Sequence, residues 1–137
     1  MARRGGLHHL ELWLDDAVDG EGPWPWLLQR LGYTRDDTWE TGCSWRLRDS
    51  YVVLESGSDH ERGRTDRLRS GMNHVAFWGG TRVEVDTLAA EAAQRGWRLL
   101  FADRHPHAGG PQHHAAFLED AAGFEVELVA DDPASAV

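Results

Sequence analysis

Two histidines and two glutamates recur at matched places in this 137-residue sequence. His9 opens the run His9-Leu-Glu-Leu-Trp13, and His74 opens the run His74-Val-Ala-Phe-Trp78. Glu55 closes Tyr51-Val-Val-Leu-Glu55, and Glu127 lies within Gly123-Phe-Glu-Val-Glu-Leu-Val129. All four runs alternate residue by residue, the pattern of a strand with two chemically different faces. Leu10, Leu12, Leu14, Val52, Leu54, Val75, Phe77, Val126 and Leu128 make the apolar faces. His9, Glu11, Trp13, Glu55, His74, Trp78, Glu125 and Glu127 fall opposite. Imidazole and carboxylate set against the outside of a packed core are what a metal or acid/base site requires.

Helices must connect these strands. Pro23-Trp-Pro-Trp-Leu-Leu-Gln-Arg-Leu-Gly32 places Trp24, Leu27, Leu28 and Leu31 on one helical face, with proline in the first turn and Gly32 as the stop. Thr81-Arg-Val-Glu84 has the form of a capping box. Val85, Leu88, Ala89 and Ala92 follow on one face, and Gly96 is the expected stop. Residues 57–71 read as a solvated Arg- and Gly-rich linker. The loop Asp103-Arg-His-Pro-His-Ala-Gly-Gly-Pro-Gln-His-His114 reads as a glycine-rich lid from which His113 or His114 reaches a ligand, with a second metal site as the competing reading. The tail from Asp131 carries no periodicity and is expected to fray.

Composition narrows the function. All fourteen basic residues are arginine, so Schiff-base and lysine general-base chemistry are excluded. A formal net charge of -9 argues against nucleic acid or an anionic membrane as partner. Cys43 is the single cysteine, which leaves no disulfide framework and no thiolate zinc cluster. With no signal-like segment and no 18-residue apolar run, the expectation is a cytoplasmic protein.

The two halves repeat. His9 precedes Gly32 by 23 residues and His74 precedes Gly96 by 22; Glu55 follows His9 by 46 and Glu127 follows His74 by 53. A unit of one strand, one helix and three strands is therefore present twice. The expected class is α+β, one domain over 1–137, with modules near 7–56 and 72–130 joined by the linker 57–71.

This order, with a His in the first strand and a Glu in the last strand of each half, resembles the vicinal oxygen chelate superfamily. That superfamily includes glyoxalase I, bleomycin-resistance proteins, fosfomycin-resistance enzymes and extradiol dioxygenases. The closing run Phe117-Leu-Glu-Asp-Ala-Ala-Gly-Phe-Glu-Val-Glu-Leu-Val129 is similar to the superfamily's ending, with Asp-Ala-Ala-Gly where Asp-Pro-Asp-Gly is usual. The resemblance implies a curved, barrel-like mixed sheet with helices outside. It also implies His9, Glu55, His74 and Glu127 as ligands of one divalent metal, Zn, Ni, Co, Mn or Fe.

By the same resemblance Glu127 is the catalytic group of a glyoxalase I-like lyase or isomerase, whose small-molecule substrate chelates the metal through neighbouring oxygens. Trp13, Trp78, Glu11, Glu125 and His113 are the expected substrate contacts; the tryptophans could equally fill core or dimer contacts. A protein that sequesters an aromatic antibiotic is the alternative, and an iron extradiol dioxygenase, for which Glu55 is superfluous, is the third. A homodimer is expected, because a helix as short as residues 23–31 cannot bury both Trp24 and Trp26 against its own sheet.

Overall fold

A computed structural model describes residues 1–18 and 20–132. The element order is β1 (His9–Trp13), α1 (Pro23–Arg30), β2 (Thr34–Trp39), β3 (Gly42–Leu47), β4 (Ser50–Glu55), β5 (Val75–Gly80), α2 (Arg82–Ala92), β6 (Trp97–Leu99), β7 (Ala115–Asp120) and β8 (Glu125–Ala130). The expected pair of βαβββ modules is thus present. The chain divides into two compact units, Met1–Gly63 and Arg64–Val137, so the boundary falls inside the stretch read as a linker. Each unit has its own four-stranded mixed sheet, ordered β1-β4-β3-β2 and β5-β8-β7-β6, and the described strands close no barrel. The tail beyond Asp132 lies outside the described residues.

In the first unit, β1 runs parallel to β4, which pairs antiparallel with β3. Leu12, Val52, Leu54, Cys43 and Trp45 are buried on one face with Trp24, Leu27 and Leu28 of α1. Complete burial of a leucine contributes about 1.5–3 kcal/mol, so Leu27 and Leu28 together anchor this helix. The helix ends as the sequence required. The amide of Gly32 donates to the Gln29 carbonyl and that of Tyr33 to the Leu28 carbonyl, with Gly32 at φ 97°. Trp24 is buried, and Trp26 is half-buried beneath the Arg30 guanidinium, 5.6 Å from its ring centre.

In the second unit β5 is parallel to β8, and β7 pairs antiparallel with β8. Val85, Leu88, Ala89 and Ala92 of α2 are buried, as are Val126, Leu128, Ala116 and Leu118 of the sheet. The capping box forms, with the Glu84 amide donating to Thr81 Oγ1 at 3.1 Å and the Thr81 amide to Glu84 Oε1 at 3.2 Å. Helix α2 ends at Ala92 rather than at Gly96. Gly96, at φ 91°, turns the chain into β6 instead.

The turn before β8 keeps both ends of the expected motif. Asp120 Oδ1 accepts from the Phe124 amide at 2.8 Å, and Gly123 takes φ 92° beneath the Thr65 backbone. Asp and Gly supply the capping oxygen and the positive φ, so alanine is tolerated between them.

Residues 57–71 are not a plain solvated linker. His60 Nε2 lies 2.8 Å from Asp15 Oδ1 in the first unit, and the Gly63 amide donates to the same oxygen. Those hydrogen bonds, His60 first, hold the Asp15 carboxyl below its ordinary range. In the second unit the Thr65 amide donates to the Ala122 carbonyl, and Arg67 Nε lies 3.0 Å from Glu119 Oε2.

Candidate functional site

Register decides which of the expected residues meet. In the second unit Ala76 pairs with Glu127, so His74, two residues earlier on the same face, is a diagonal neighbour of that carboxylate. His74 Nε2 lies 3.0 Å from Glu127 Oε1. From the other side, His113 Nε2 contacts Glu127 Oε2 directly. Glu127 is buried, with one imidazole on each oxygen.

The first unit differs. His9 pairs with Tyr51 and Trp13 with Glu55, so the position two residues along, where the second unit has Glu127, is Val53. Glu55 stands four residues from His9's level, about 13 Å at strand rise. Its two oxygens are taken by Trp39 Nε1 at 2.7 Å and by Thr41 Oγ1. His9 stacks on Tyr51 with ring centres 4.8 Å apart. Both lie on the predicted face, but within the first unit Glu55 is two residues further from His9 along the strands than Glu127 is from His74 in the second. Counting residues from His to Glu concealed this, because the hairpins differ in length between halves.

The protonation pattern of His74 follows from its neighbour. Asn73 Nδ2 donates to the Arg67 carbonyl at 2.9 Å, and a carbonyl can only accept. The amide oxygen therefore faces His74 Nδ1, at 2.6 Å, and that nitrogen carries the proton. A neutral His74 then presents a bare Nε2 to a carboxylate oxygen, lone pair against lone pair. Only a positive charge between them, a proton or a metal ion, turns that contact attractive.

Behind these groups lies a buried ion network. Glu125, expected to meet a ligand, is 3% exposed. Its Oε2 is 3.5 Å from His74 Nδ1, and its Oε1 is 3.2 Å from Arg67 Nη1 yet receives no well-formed hydrogen bond. Burial pushes the Glu125 carboxyl above its ordinary value, against the opposing charge of Arg67. For Glu119, burial works in the same direction, but hydrogen bonds and charge from Arg67 and Arg98 overcome it and hold that carboxyl low. Asn73 and Arg67 were not foreseen as site residues; the Asn preceding the strand histidine was the available signal for one, and nothing singled out Arg67 among the linker arginines.

The aromatic residues expected to wall a cavity are open on the site faces. Trp13 is 44% exposed and donates to Glu11 Oε2 at 2.7 Å, and Trp78 is 70% exposed. Neither belongs to the core.

Among the described residues no group of three or more His, Cys, Asp or Glu side chains is arranged to hold a metal ion. In the second unit the donors touch one another instead. Their types, two imidazoles and one carboxylate with a fixed His74 tautomer, fit a divalent transition ion.

No family model matches the chain. It is 37% identical over 125 residues to the uncharacterized protein YqjT of Bacillus subtilis, covering 90% of this chain and 98% of that one. A solved structure of a candidate glyoxalase from Bacillus halodurans is 38% identical, superposes with a TM-score of 0.84, and is matched over 93% of this chain and 97% of its own. The fosfomycin resistance protein FosX of Listeria monocytogenes shares the fold at 18% identity and TM-score 0.65, over 95% of this chain and 96% of that one. With its two βαβββ modules, the chain belongs to the glyoxalase/bleomycin resistance/dioxygenase family, the vicinal oxygen chelate superfamily. Among the described residues no helix is long and apolar enough to cross a membrane.

Proposed function

We propose that this protein is a metal-dependent enzyme of the superfamily, acting on a small molecule with two neighbouring oxygens in the manner of a glyoxalase-type lyase or isomerase. The observation that carries the proposal is the tautomer of His74: Asn73 fixes the proton on Nδ1, so Nε2 is left to face Glu127 as a ligand nitrogen. His74, His113 and Glu127 would hold one divalent ion, of Zn, Ni, Co, Mn or Fe. Bound there, it supplies Lewis acidity to the substrate's vicinal oxygens.

The chain's own groups do the rest. Asn73 orients the His74 ring. Glu127, held between two imidazoles, is the carboxylate placed to act as base for a proton on the carbon next to one of the substrate's oxygens. Trp78, open on the same face of β5, gives the substrate an apolar wall. We take the protein to act as a homodimer in the cytoplasm.

The testing experiment is metal analysis of protein purified without chelator. One ion per chain, lost in His74→Ala with the fold intact, supports the proposal; full occupancy in that variant overturns the ligand assignment. A second reading is favoured by the donor count. Two histidines and one carboxylate are the set used by non-haem Fe(II) oxygenases, and Glu55, already bonded to Trp39 and Thr41, is not needed for it. Iron in the purified protein and oxygen uptake with a catechol would select this reading. Sequestration of an aromatic compound would instead show binding without a metal requirement.

A further inference from the structure

Of the other three histidines of loop 101–114, two meet at one carboxylate. His114 Nε2 lies 2.9 Å from Asp86 Oδ1 on α2, and His105 Nε2 lies 3.9 Å from the same oxygen. His113 and His114 are consecutive just before β7, and their rings take different partners. One reaches Glu127 and the other reaches the helix. The backbone between them is tied down as well: the His114 carbonyl accepts from the Ala130 amide at 3.0 Å, and the Ala115 amide donates to the Pro106 carbonyl at 2.9 Å. His107 Nδ1 donates to the His113 carbonyl at 3.3 Å, and its ring stands edge-on to His114 with centres 5.7 Å apart.

We infer that Asp86 is a positioning residue for the site: by holding His114, with His105 beside it, it sets where the chain enters β7 and so keeps His113 against Glu127. The inference rests on the reading of His113 as a site residue. Asp86 touches neither Glu127 nor a substrate, and its side chain is 51% exposed at the surface of α2, so removing it leaves the core of the unit untouched. His114 is the better buried partner, at 12%. Without the carboxylate the His114 ring loses its hydrogen bond to α2, and only the main-chain hydrogen bonds at His114 and Ala115 are left to set where His113 stands.

The test is histidine side-chain 1H–15N correlation spectroscopy on the full-length, metal-free protein. The His113 Nε2 signal is assigned by its loss in His113→Ala, because Glu127 contacts the His74 ring as well, and its displacement is then measured in Glu127→Gln. In Asp86→Ala that signal should move by most of the displacement seen in Glu127→Gln, while circular dichroism remains that of the parent. Asp86→Asn keeps an accepting oxygen for His114, so it should leave His113 near its parent position; this rescue separates a hydrogen-bonded latch from general loosening of α2. A His113 signal unchanged in Asp86→Ala, or moved equally in both variants, overturns the inference. A second arm measures Co(II) affinity, which should fall about 10- to 100-fold in Asp86→Ala, as for other residues that orient a ligand. If the parent protein binds no Co(II), the proposed function fails by itself and the metal-free spectra still decide the latch.

Discussion

Asn73 Oδ1 stands 2.6 Å from His74 Nδ1, and the Arg67 carbonyl, by accepting from the other end of the same amide, fixes which way round that amide lies. A backbone acceptor in loop 64–71 thus dictates the tautomer of an imidazole at the mouth of β5. Asn73→Ala should leave the ring free to rotate and lower metal affinity about 10- to 100-fold, measured by competition with a coloured chelator. Asn73→Asp keeps the accepting oxygen and should lose less; equal losses would show that the amide's orientation is irrelevant.

The two faces of β8 separate stability from binding. Leu128 is fully buried on the core face, so Leu128→Ala should cost about 2–5 kcal/mol in denaturant unfolding. Glu127→Gln, one residue away on the opposite face, should abolish metal uptake and leave a folded protein. A Glu127→Gln variant that unfolds would instead make the carboxylate a structural anchor.

Glu125 and Glu119 should give opposite pH signatures. Glu125 is raised in the folded state by burial, so folding is favoured while it is protonated. That contribution is lost as pH rises from the ordinary glutamate value of 4.5 through the raised one. Glu119 is held low despite its burial by Arg67 and Arg98, so its contribution is present above 4.5 and is lost as pH falls through the lowered value. Thermal unfolding of Glu119→Gln should therefore show a shallower loss on the acid side, and that of Glu125→Gln a shallower loss on the neutral side. Parallel curves for both variants and the parent would refute the assignment.

Trp78 is open on the face that carries His74 and Glu127. Aromatic vicinal diols should quench tryptophan fluorescence, and Trp78→Ala should weaken their binding several-fold. Unchanged quenching in the variant would remove Trp78 from the ligand site.

Light scattering at micromolar concentration should give twice the 15.4 kDa of one chain. Trp26, half-buried under Arg30, is the α1 residue left to meet a partner, and Trp26→Glu should shift the mass toward the monomer. A single-chain mass for the parent protein would exclude the dimer.

The sequence by itself determined the two βαβββ modules, because alternation and 3.6-residue spacing are local properties that burial on one face imposes directly. It determined which face each site residue occupies: His9, Glu55, His74 and Glu127 all lie opposite the core. It also carried the caps at Gly32 and Thr81. What the tertiary structure decided is which of these residues meet. Strand register depends on hairpin and loop lengths across the whole module, and a two-residue offset sets Val53, not Glu55, at the place that Glu127 holds in the second unit. The roles of Asn73, Arg67 and Asp86 were set in the same way. Each acts through a partner distant in sequence or through a backbone carbonyl, and neither composition nor periodicity records where a long polar side chain will find its hydrogen bond.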